Sequence, residues 1–172
     1  MTDFPTLFEE WFTARGWSIH PHQKQMLAQS TESALLLIAP TGGGKTLAGF
    51  LPSLIELTQT PRAGLHTIYI SPLKALAADI KRNLSTPVTE MGLPVRIEDR
   101  TGDTSSSRKR RQRADPPHIL LTTPESLALL ISYEDAPRIF AGLQRIVIDE
   151  IHALADSKRG DQLMPVSYTH LR

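Results

Sequence analysis

The stretch LLLIAPTGGGKTLAGF, residues 35–50, constrains the fold of this chain more than any other. An apolar run leads into three glycines, then Lys45 and Thr46, after which apolar residues recur at helical spacing. Consecutive glycines let the backbone turn its N–H groups toward an anion, and the positive end of the following helix adds to that attraction. A strand, a glycine loop and a helix in this order predict a phosphate-binding turn.

The letters APTGGGKT match the Walker A pattern, with Ala39 at the place of its first glycine. Lys45 is expected to reach the β and γ phosphates of ATP, and the Thr46 hydroxyl to ligate Mg²⁺. The alternative is a glycine-rich turn without a ligand, but the strand before it and the helix after it are the context that the motif requires. The residues predicted to hold the nucleotide here are Thr41, Gly42, Gly43, Gly44, Lys45 and Thr46.

Composition limits the remaining options. A chain of 172 residues suits one domain with a full core. Its net charge of +1 means that any nucleic-acid site must be local. The absence of cysteine excludes disulfides and thiol catalysis and is compatible with a reducing compartment. The N-terminus carries acids where a signal peptide is basic, and no apolar run is long enough to cross a bilayer, so we expect a soluble, cytoplasmic chain without a membrane partner.

Short apolar runs alternate with helical segments along the chain. Short strands without polar alternation are typical of burial on both faces, and their alternation with helices gives right-handed βαβ crossovers. We therefore predict an α/β fold with a mostly parallel sheet and expect ligands beyond the carboxyl ends of its strands. The predicted strands are Ala34–Ala39, Thr67–Ser71, Val95–Asp99, Ile119–Thr122 and Arg145–Asp149, and the predicted helices are Thr46–Leu57, Lys74–Met91, Ser105–Ala114 and Pro124–Ile131.

The run RIVIDEIH, residues 145–152, places two acids directly after a buried strand, where a Walker B pair belongs. Asp149 is predicted to hold Mg²⁺ together with Thr46, and Glu150 to orient or deprotonate the attacking water. Lys45, Asp149 and Glu150 are thus the predicted catalytic residues. The alternative is a pair of acids that favours the positive end of a helix dipole, but the Walker A loop upstream favours the catalytic interpretation.

The segments APTGGGKT and DEIH together resemble the first RecA-like domain of superfamily 2 DExH-box helicases. SPLKAL, RTGDT and TTPESL lie between them in the order of that family. With SKRGDQL, the set is most similar to the Lhr-type DNA helicases, and FEEWFTARGW favours their bacterial ligase-associated group. The resemblance covers about residues 6–163. It implies a three-layer P-loop NTPase fold, ATP and Mg²⁺ as cofactors, and a role in DNA repair.

The resemblance also implies contacts with nucleic acid, expected to be DNA with a single-stranded region. Hydroxyls, backbone N–H groups and helix starts just after strand ends grip phosphates without reading bases. Turn and cap chemistry explains any one such segment equally well, but three at one sheet edge favour the nucleic-acid interpretation. The residues implied are Ser71, Pro72, Lys74, Thr101, Gly102, Thr122, Thr123 and Pro124. The family further implies that His152 couples ATP to strand movement, and, by resemblance alone, repair-ligase or nuclease partners.

Three further features leave alternatives open. Gln23 in HPHQKQML resembles the glutamine that recognises adenine in this superfamily, or it is a surface residue that opens a helix. Trp11, Phe12 and Trp17 stack on the base or pack the N-terminal helix. The run SRKRRQR, residues 107–113, is a solvated helix or a phosphate-contacting patch, and its pattern also fits a nuclear-import signal.

The end of the chain departs from the family. The Ser/Thr-Ala-Thr motif after Walker B and the second RecA-like domain are missing, which predicts a domain truncated before the motif III strand, with core edges left unpaired. MPVSYTHLR resembles a translated sequencing adapter and is predicted to be a non-native tail. The predicted organisation is an N-terminal helical segment at 1–33 with the adenine-recognition glutamine, an incomplete RecA-like domain at 34–163 and the tail at 164–172.

The predicted function follows from the resemblance. The chain is expected to be the N-terminal ATP-binding domain of an ATP-dependent DNA helicase, and on its own not competent for unwinding. Two alternatives stay open. One is a non-catalytic ATP-binding module, and the other is a P-loop NTPase unrelated to nucleic acid, such as a small-molecule kinase.

Overall fold

The computed structural model describes residues 4–39 and 42–151. Helices and strands alternate through the second half of this range, as the sequence predicts. The helices are α1 Thr6–Ala14, α2 Pro21–Ala28, α3 Lys45–Gln59, α4 Lys74–Glu90, α5 Ser106–Ala114, α6 Pro124–Ile131 and α7 Ala136–Phe140, and the strands are β1 Thr67–Ile70, β2 Ile97–Arg100, β3 Ile119–Thr122 and β4 Arg145–Ile148. Among the described residues, no helix combines the length and apolar character needed to cross a bilayer.

The described residues fall into two compact units. One unit holds those of Met1–Arg62 and Asn83–Val95, and the other holds those of Ala63–Arg82 and Arg96–Arg172. The first contains α1, α2 and α3, and the second contains the four strands with α5, α6 and α7, while α4 contributes to both. The domain bounds predicted at residues 33 and 163 stay a prediction.

Aromatic residues of α1 pack within the first unit. Phe8 and Phe12 are buried, and Trp11 donates a hydrogen bond through Nε1 to Glu90 Oε2 over 2.7 Å. Arg15 pairs with the same carboxylate, and its guanidinium carbon lies 5.1 Å from the ring centroids of both Trp11 and Trp17. These contacts favour packing over base stacking as the role of Trp11 and Phe12.

The sheet of the second unit is parallel throughout. Its strand order is β2-β3-β1-β4, and each neighbouring pair runs in the same direction. Every residue of β1 and β3 is buried, as two-sided coverage of a central parallel strand requires. Because all four strands run in parallel, their carboxyl ends lie along one edge of the sheet.

A hydrophobic core covers one side of this sheet. Ile68, Ile70 and Leu120 contribute from the strands, Leu127 and Leu130 from α6. Each such side chain stabilises the fold by about 1.5–3 kcal/mol when it is fully buried. Helix α7, which the sequence analysis did not predict, adds Ala136, Ile139 and Phe140 to the same core.

Most predicted elements lie within one or two residues of the observed ones, and Ile119–Thr122 and Pro124–Ile131 agree at both ends. The strand predicted at Val95–Asp99 is displaced and runs over Ile97–Arg100. Its start is later because the Val95 N–H donates to the Leu93 carbonyl over 2.8 Å, which forms a local turn in place of a ladder bond.

The strand predicted at Ala34–Ala39 was wrong for the described residues. This segment has no regular secondary structure, and the described sheet contains only the four strands named above. Leu36 is 75% exposed and Ile38 is 86% exposed. An apolar run forms a strand only where a neighbouring strand satisfies its backbone N–H and C=O groups. Among the described residues, this segment has no such pairing, so its apolar character alone was not enough to form a strand.

The basic run of α5 is held by ion pairs within the second unit. Arg108 contacts Asp99 over 3.0 Å, and Arg111 contacts Glu98 over 2.6 Å. At the end of the helix, Arg113 contacts Asp135 over 2.6 Å. Three of the five cations therefore have carboxylate partners, which favours a structural helix over a phosphate-contacting patch.

Acid should weaken this network, because Glu98 is ionised in it. Burial raises the pKa of Glu98, but hydrogen bonds from Gln112 and Arg111 and the nearby arginine charges outweigh burial and hold that pKa below its ordinary value. A carboxyl whose pKa is lowered by folding stabilises the fold above the unfolded pKa and loses that contribution as pH falls through the folded pKa. The free energy of unfolding, measured by urea at several pH values, is expected to decline below about pH 4.5.

The variant Glu98→Gln should unfold at lower urea near neutral pH and lose less stability on acidification than the unaltered chain. The exposed Glu134→Gln serves as the matched control, and its acid dependence should equal that of the unaltered chain. If Glu98→Gln and the unaltered chain lost stability equally on acidification, ionisation of Glu98 would not contribute to the pH dependence of stability.

Candidate nucleotide and nucleic-acid site

The described part of the glycine loop has a left-handed backbone at two positions. Gly42 has φ 79° and Gly44 has φ 71°, a region that costs other residues about 1–2 kcal/mol. Gly44 is the N-cap of α3, which begins at Lys45. The first N–H groups of a helix have no partner within it and carry the positive end of its dipole, so this turn has the chemistry to bind an anion.

Gln23 lies against the loop within the same unit. Its Nε2 donates to the Gly44 carbonyl over 3.3 Å, and its Oε1 accepts from the His20 N–H over 2.9 Å. The side chain is buried, with 2% exposure. A primary amide has two donors and two acceptor lone pairs, so one of each is left for another group. Gln23 is thus placed beside the loop whether or not it contacts adenine.

A side chain at Gly44 would displace the Gln23 amide. A Cβ at this position would lie 2.8 Å from Gln23 Nε2, closer than a carbon atom tolerates. At Gly42, by contrast, a Cβ would meet nothing within 4 Å. The third glycine of the run is therefore favoured by its backbone angle and by the position of the Gln23 amide.

The acidic pair lies at the carboxyl end of β4 in the second unit. The Asp149 N–H continues the ladder by donating to the Ile70 carbonyl over 3.0 Å. Both of its carboxylate oxygens accept a hydrogen bond: Oδ2 from the Tyr69 hydroxyl over 2.6 Å, and Oδ1 from the Glu150 N–H over 2.9 Å. The Asp149 carboxylate is therefore fixed on both sides.

Tyr69 is a buried phenol beside an ionised group. Burial raises its pKa first, and the hydrogen bond to Asp149 raises it further, so that the pKa lies well above its ordinary value. The hydroxyl therefore stays protonated near neutral pH and acts as a donor there. The sequence analysis missed this residue, although a buried tyrosine usually finds a partner for its hydroxyl.

Glu150 has an unusual backbone. Its φ of 51° lies in the left-handed region, which costs a residue other than glycine about 1–3 kcal/mol. The side chain is exposed, whereas that of Asp149 is partly buried. With this turn at Glu150, the carboxylate of Asp149 lies in a partly buried environment and that of Glu150 in an exposed one. Different environments of this kind are compatible with different roles for the two acids.

Several residues predicted to contact nucleic acid use their side chains inside the fold. Ser71 is buried, and its Oγ accepts from the Leu73 N–H over 3.4 Å. Thr122 donates through Oγ1 to the Arg100 carbonyl over 2.8 Å. Thr123 caps α6, because its Oγ1 accepts from the Ser126 N–H over 3.4 Å. These hydroxyls have turn and cap roles, so a phosphate at this edge would meet backbone N–H groups and exposed side chains.

Lys74 and Gly102 are the exposed members of the predicted set. The Lys74 Nζ lies 2.9 Å from Asp103 Oδ1 and keeps 54% side-chain exposure. A Cβ on Gly102 would lie 3.2 Å from the same nitrogen, so the two residues are neighbours. Thr101 is buried and donates its N–H to Thr104 Oγ1 over 3.0 Å, while Pro72 and Pro124 are also buried.

The predicted site residues therefore fall into two sets. Gln23 and the described loop residues from Gly42 to Thr46 belong to the first unit, and the acidic pair belongs to the second with the predicted nucleic-acid contacts. Thr41 and His152 lie outside the described residues, as do SKRGDQL and the predicted tail at 164–172.

Comparison with known proteins agrees with the motif order. The chain is 39% identical over 171 residues to the ATP-dependent helicase Lhr-Core protein 2 of Thermococcus barophilus, an alignment that covers 90% of this chain and 20% of that protein. The Lhr helicase/uracil glycosylase of Escherichia coli is 37% identical over 184 residues, which covers 93% of this chain and 12% of that protein. The chain thus spans a fifth or less of the length of these relatives.

A solved structure shares the fold. The Mycobacterium smegmatis helicase Lhr bound to ssDNA and AMP-PNP matches with a TM-score of 0.83 at 38% identity, covering 94% of this chain and 22% of that one. This match confirms the predicted α/β fold of a helicase domain with a parallel sheet. A family model described as DEAD/DEAH box helicase matches residues 20–169. The chain therefore belongs to the DEAD/DEAH box helicase family.

Proposed function

We propose that this chain binds ATP with Mg²⁺ and serves as the N-terminal ATP-binding domain of an ATP-dependent DNA helicase. The observation that carries the proposal is the left-handed glycine turn that ends at Gly44 and leads directly into α3 at Lys45. Such a turn presents backbone N–H groups to a phosphate. A nucleotide as the ligand is supported by the chain's membership of the DEAD/DEAH box helicase family and by its likeness to a helicase bound to AMP-PNP.

The proposed roles follow the chemistry of the side chains. Lys45 neutralises the β and γ phosphates, and Gln23 contacts the adenine. Thr41, Gly42, Gly43 and Gly44 supply the cradle. Glu150 orients or deprotonates the attacking water, for which its exposed carboxylate is suited.

We propose Thr46 and Asp149 as ligands of Mg²⁺ from the chemistry of their side chains. Mg²⁺ prefers hard oxygen ligands, and the Thr46 hydroxyl and Asp149 carboxylate would supply them. Each Asp149 oxygen accepts one hydrogen bond in the structure and keeps a further lone pair. When bound, the ion would neutralise charge that develops on the phosphates.

Nucleic acid is proposed to bind at the carboxyl ends of β1, β2 and β3. Lys74 and Gly102 are exposed there, while Ser71, Thr101, Thr122 and Thr123 shape the turns that carry backbone N–H groups. Contacts of this kind hold the phosphate backbone without reading sequence. We propose single-stranded DNA as the ligand, since related helicase structures contain DNA. His152 is proposed to couple ATP to strand movement, as in the family.

Other parts of the proposal rest on the family alone. They are membership of the ligase-associated group, partnership with a repair ligase or nuclease, and a cytoplasmic location in a bacterium. The domain bounds 1–33, 34–163 and 164–172 and the non-native origin of the last segment also stay proposals.

A titration with a fluorescent ATP analogue tests the nucleotide site in the 172-residue chain. Affinity is expected to be higher with Mg²⁺ than with EDTA, and Lys45→Ala should weaken it, because a charge that faces the phosphates is lost. Lys24→Ala is the matched control, since Lys24 is exposed on α2 in the same unit. Binding that is equal in the unaltered chain and in Lys45→Ala would contradict the proposed role of the loop.

The proposed binding of nucleic acid has to be tested in a longer protein that contains this domain. Its ATP hydrolysis is expected to rise when single-stranded DNA is added. Hydrolysis that ignores DNA would favour a P-loop NTPase of another kind, and nucleotide binding without hydrolysis would favour a non-catalytic module.

A further inference from the structure

Tyr69 makes a contact that none of the motifs explains. Its hydroxyl donates to Asp149 Oδ2 over 2.6 Å, and its side chain is 1% exposed. An O–H···O⁻ bond of this length belongs to the charge-assisted class, which is about twice as strong as a bond between neutral groups. The contact joins a central strand to the acidic pair.

The strand register explains why these side chains meet. Tyr69 on β1 pairs with Val147 on β4, and Asp149 follows two residues after Val147. Side chains two residues apart on a strand point to the same face, so Tyr69 and Asp149 are diagonal neighbours on one side of the sheet. The backbone continues this register past β4, because the Asp149 N–H donates to the Ile70 carbonyl.

The two hydrogen bonds on Asp149 leave its carboxylate little freedom. The Tyr69 hydroxyl occupies Oδ2 and the Glu150 N–H occupies Oδ1, so rotation of the carboxylate breaks both bonds. A fixed carboxylate does not have to be ordered when a cation binds. Partners that orient a metal ligand in this way typically contribute about 10–100-fold to metal affinity.

We propose that Tyr69 is a positioning residue that holds the Asp149 carboxylate ready for Mg²⁺. The inference rests on the proposed nucleotide site and assigns a role to a residue outside its motifs. Tyr69 does not touch the nucleotide or the metal in this account. Its effect on the metal passes through Asp149, which distinguishes it from a tyrosine that only fills the core.

The test measures how the affinity for a fluorescent ATP analogue depends on the Mg²⁺ concentration in the 172-residue chain. In Tyr69→Phe, the Mg²⁺ concentration at which half of the gain in nucleotide affinity is reached should be about tenfold higher than in the unaltered chain. Affinity in EDTA should stay unchanged, because the nucleotide contacts are intact. Tyr69→Leu, which also lacks the hydroxyl, should shift the Mg²⁺ dependence in the same direction. Tyr133→Phe is the matched control, since Tyr133 lies outside the proposed site.

A double variant separates positioning from packing. In the background of Asp149→Asn, Tyr69→Phe should cause no further change in Mg²⁺ dependence. An unchanged Mg²⁺ dependence in the single variant overturns the role of Tyr69, and so does a shift that persists in the Asp149→Asn background. If the unaltered chain binds nucleotide without any response to Mg²⁺, the proposed metal site fails first and the role of Tyr69 fails with it.

Discussion

Glu150→Gln is expected to lower ATP turnover by about 10²–10⁴-fold in a helicase that contains this domain, because an amide cannot accept the proton of the attacking water. Affinity for Mg²⁺ and nucleotide should be retained, since Asp149 keeps its carboxylate and its bond from the Glu150 N–H is a backbone bond. The left-handed φ at residue 150 also persists, because glutamine has the same backbone preference as glutamate. Single-turnover hydrolysis and nucleotide titration measure the two effects separately.

Glu134→Gln is the matched control for this experiment, because Glu134 is exposed and lies away from the acidic pair in sequence. Its turnover should equal that of the unaltered enzyme. If Glu150→Gln turned over ATP as fast as Glu134→Gln, a group other than Glu150 would activate the attacking water. A large loss of nucleotide affinity in Glu150→Gln would instead show that the residue has a binding role.

Gly44→Ala is expected to destabilise the chain by about 1.5–3.5 kcal/mol. The left-handed backbone contributes about 1–2 kcal/mol of this loss. Displacement of Gln23, whose Nε2 would lie 2.8 Å from the new Cβ, breaks a hydrogen bond worth about 0.5–1.5 kcal/mol. Nucleotide affinity should fall as well, because the loop and the glutamine proposed to contact adenine move together. Urea unfolding and titration with the fluorescent ATP analogue measure the two losses.

Gly92→Ala controls for backbone strain alone. Gly92 has φ 62°, and a Cβ there would meet nothing within 4 Å. It should lower stability by about 1–2 kcal/mol and leave nucleotide affinity unchanged. If both variants lose the same stability, the contact between Gly44 and Gln23 contributes nothing. If Gly44→Ala binds nucleotide as the unaltered chain does, the loop does not need its third glycine for binding.

The sequence predicted the positions of β1, β3 and β4 along the chain well, because these strands are mostly apolar and lie between clear helical segments. Ile119–Thr122 has a hydrophobic run bounded by turn residues on both sides, so its ends were sharp. The prediction Val95–Asp99 failed at its start, where a backbone turn centred on Pro94 takes the place of a ladder bond. Helix α7 has only five residues, with Pro137 at the second position, which is too short for a periodic pattern.

The segment at 34–39 shows a different limit. Its residues favour a strand, but a strand depends on a neighbour that residue types do not reveal. Tyr69 shows that contacts within the site are equally hard to predict from residue types. Its partner Asp149 lies 80 residues away in sequence, and only the register of β1 against β4 brings them together. The glycine turn that leads into α3 was predictable because it depends on local backbone geometry.

The ion pairs of α5 change what salt can do to this protein. Arg108, Arg111 and Arg113 already face carboxylates, so added ions screen an attraction that holds the helix in place. Three of the five cations of α5 are offset in this way, so a polyanion that approaches this surface would be attracted less strongly than the basic sequence alone suggests. A steep dependence of DNA affinity on ionic strength would draw on cations outside these three ion pairs, such as Lys109 and Arg110 of the same helix.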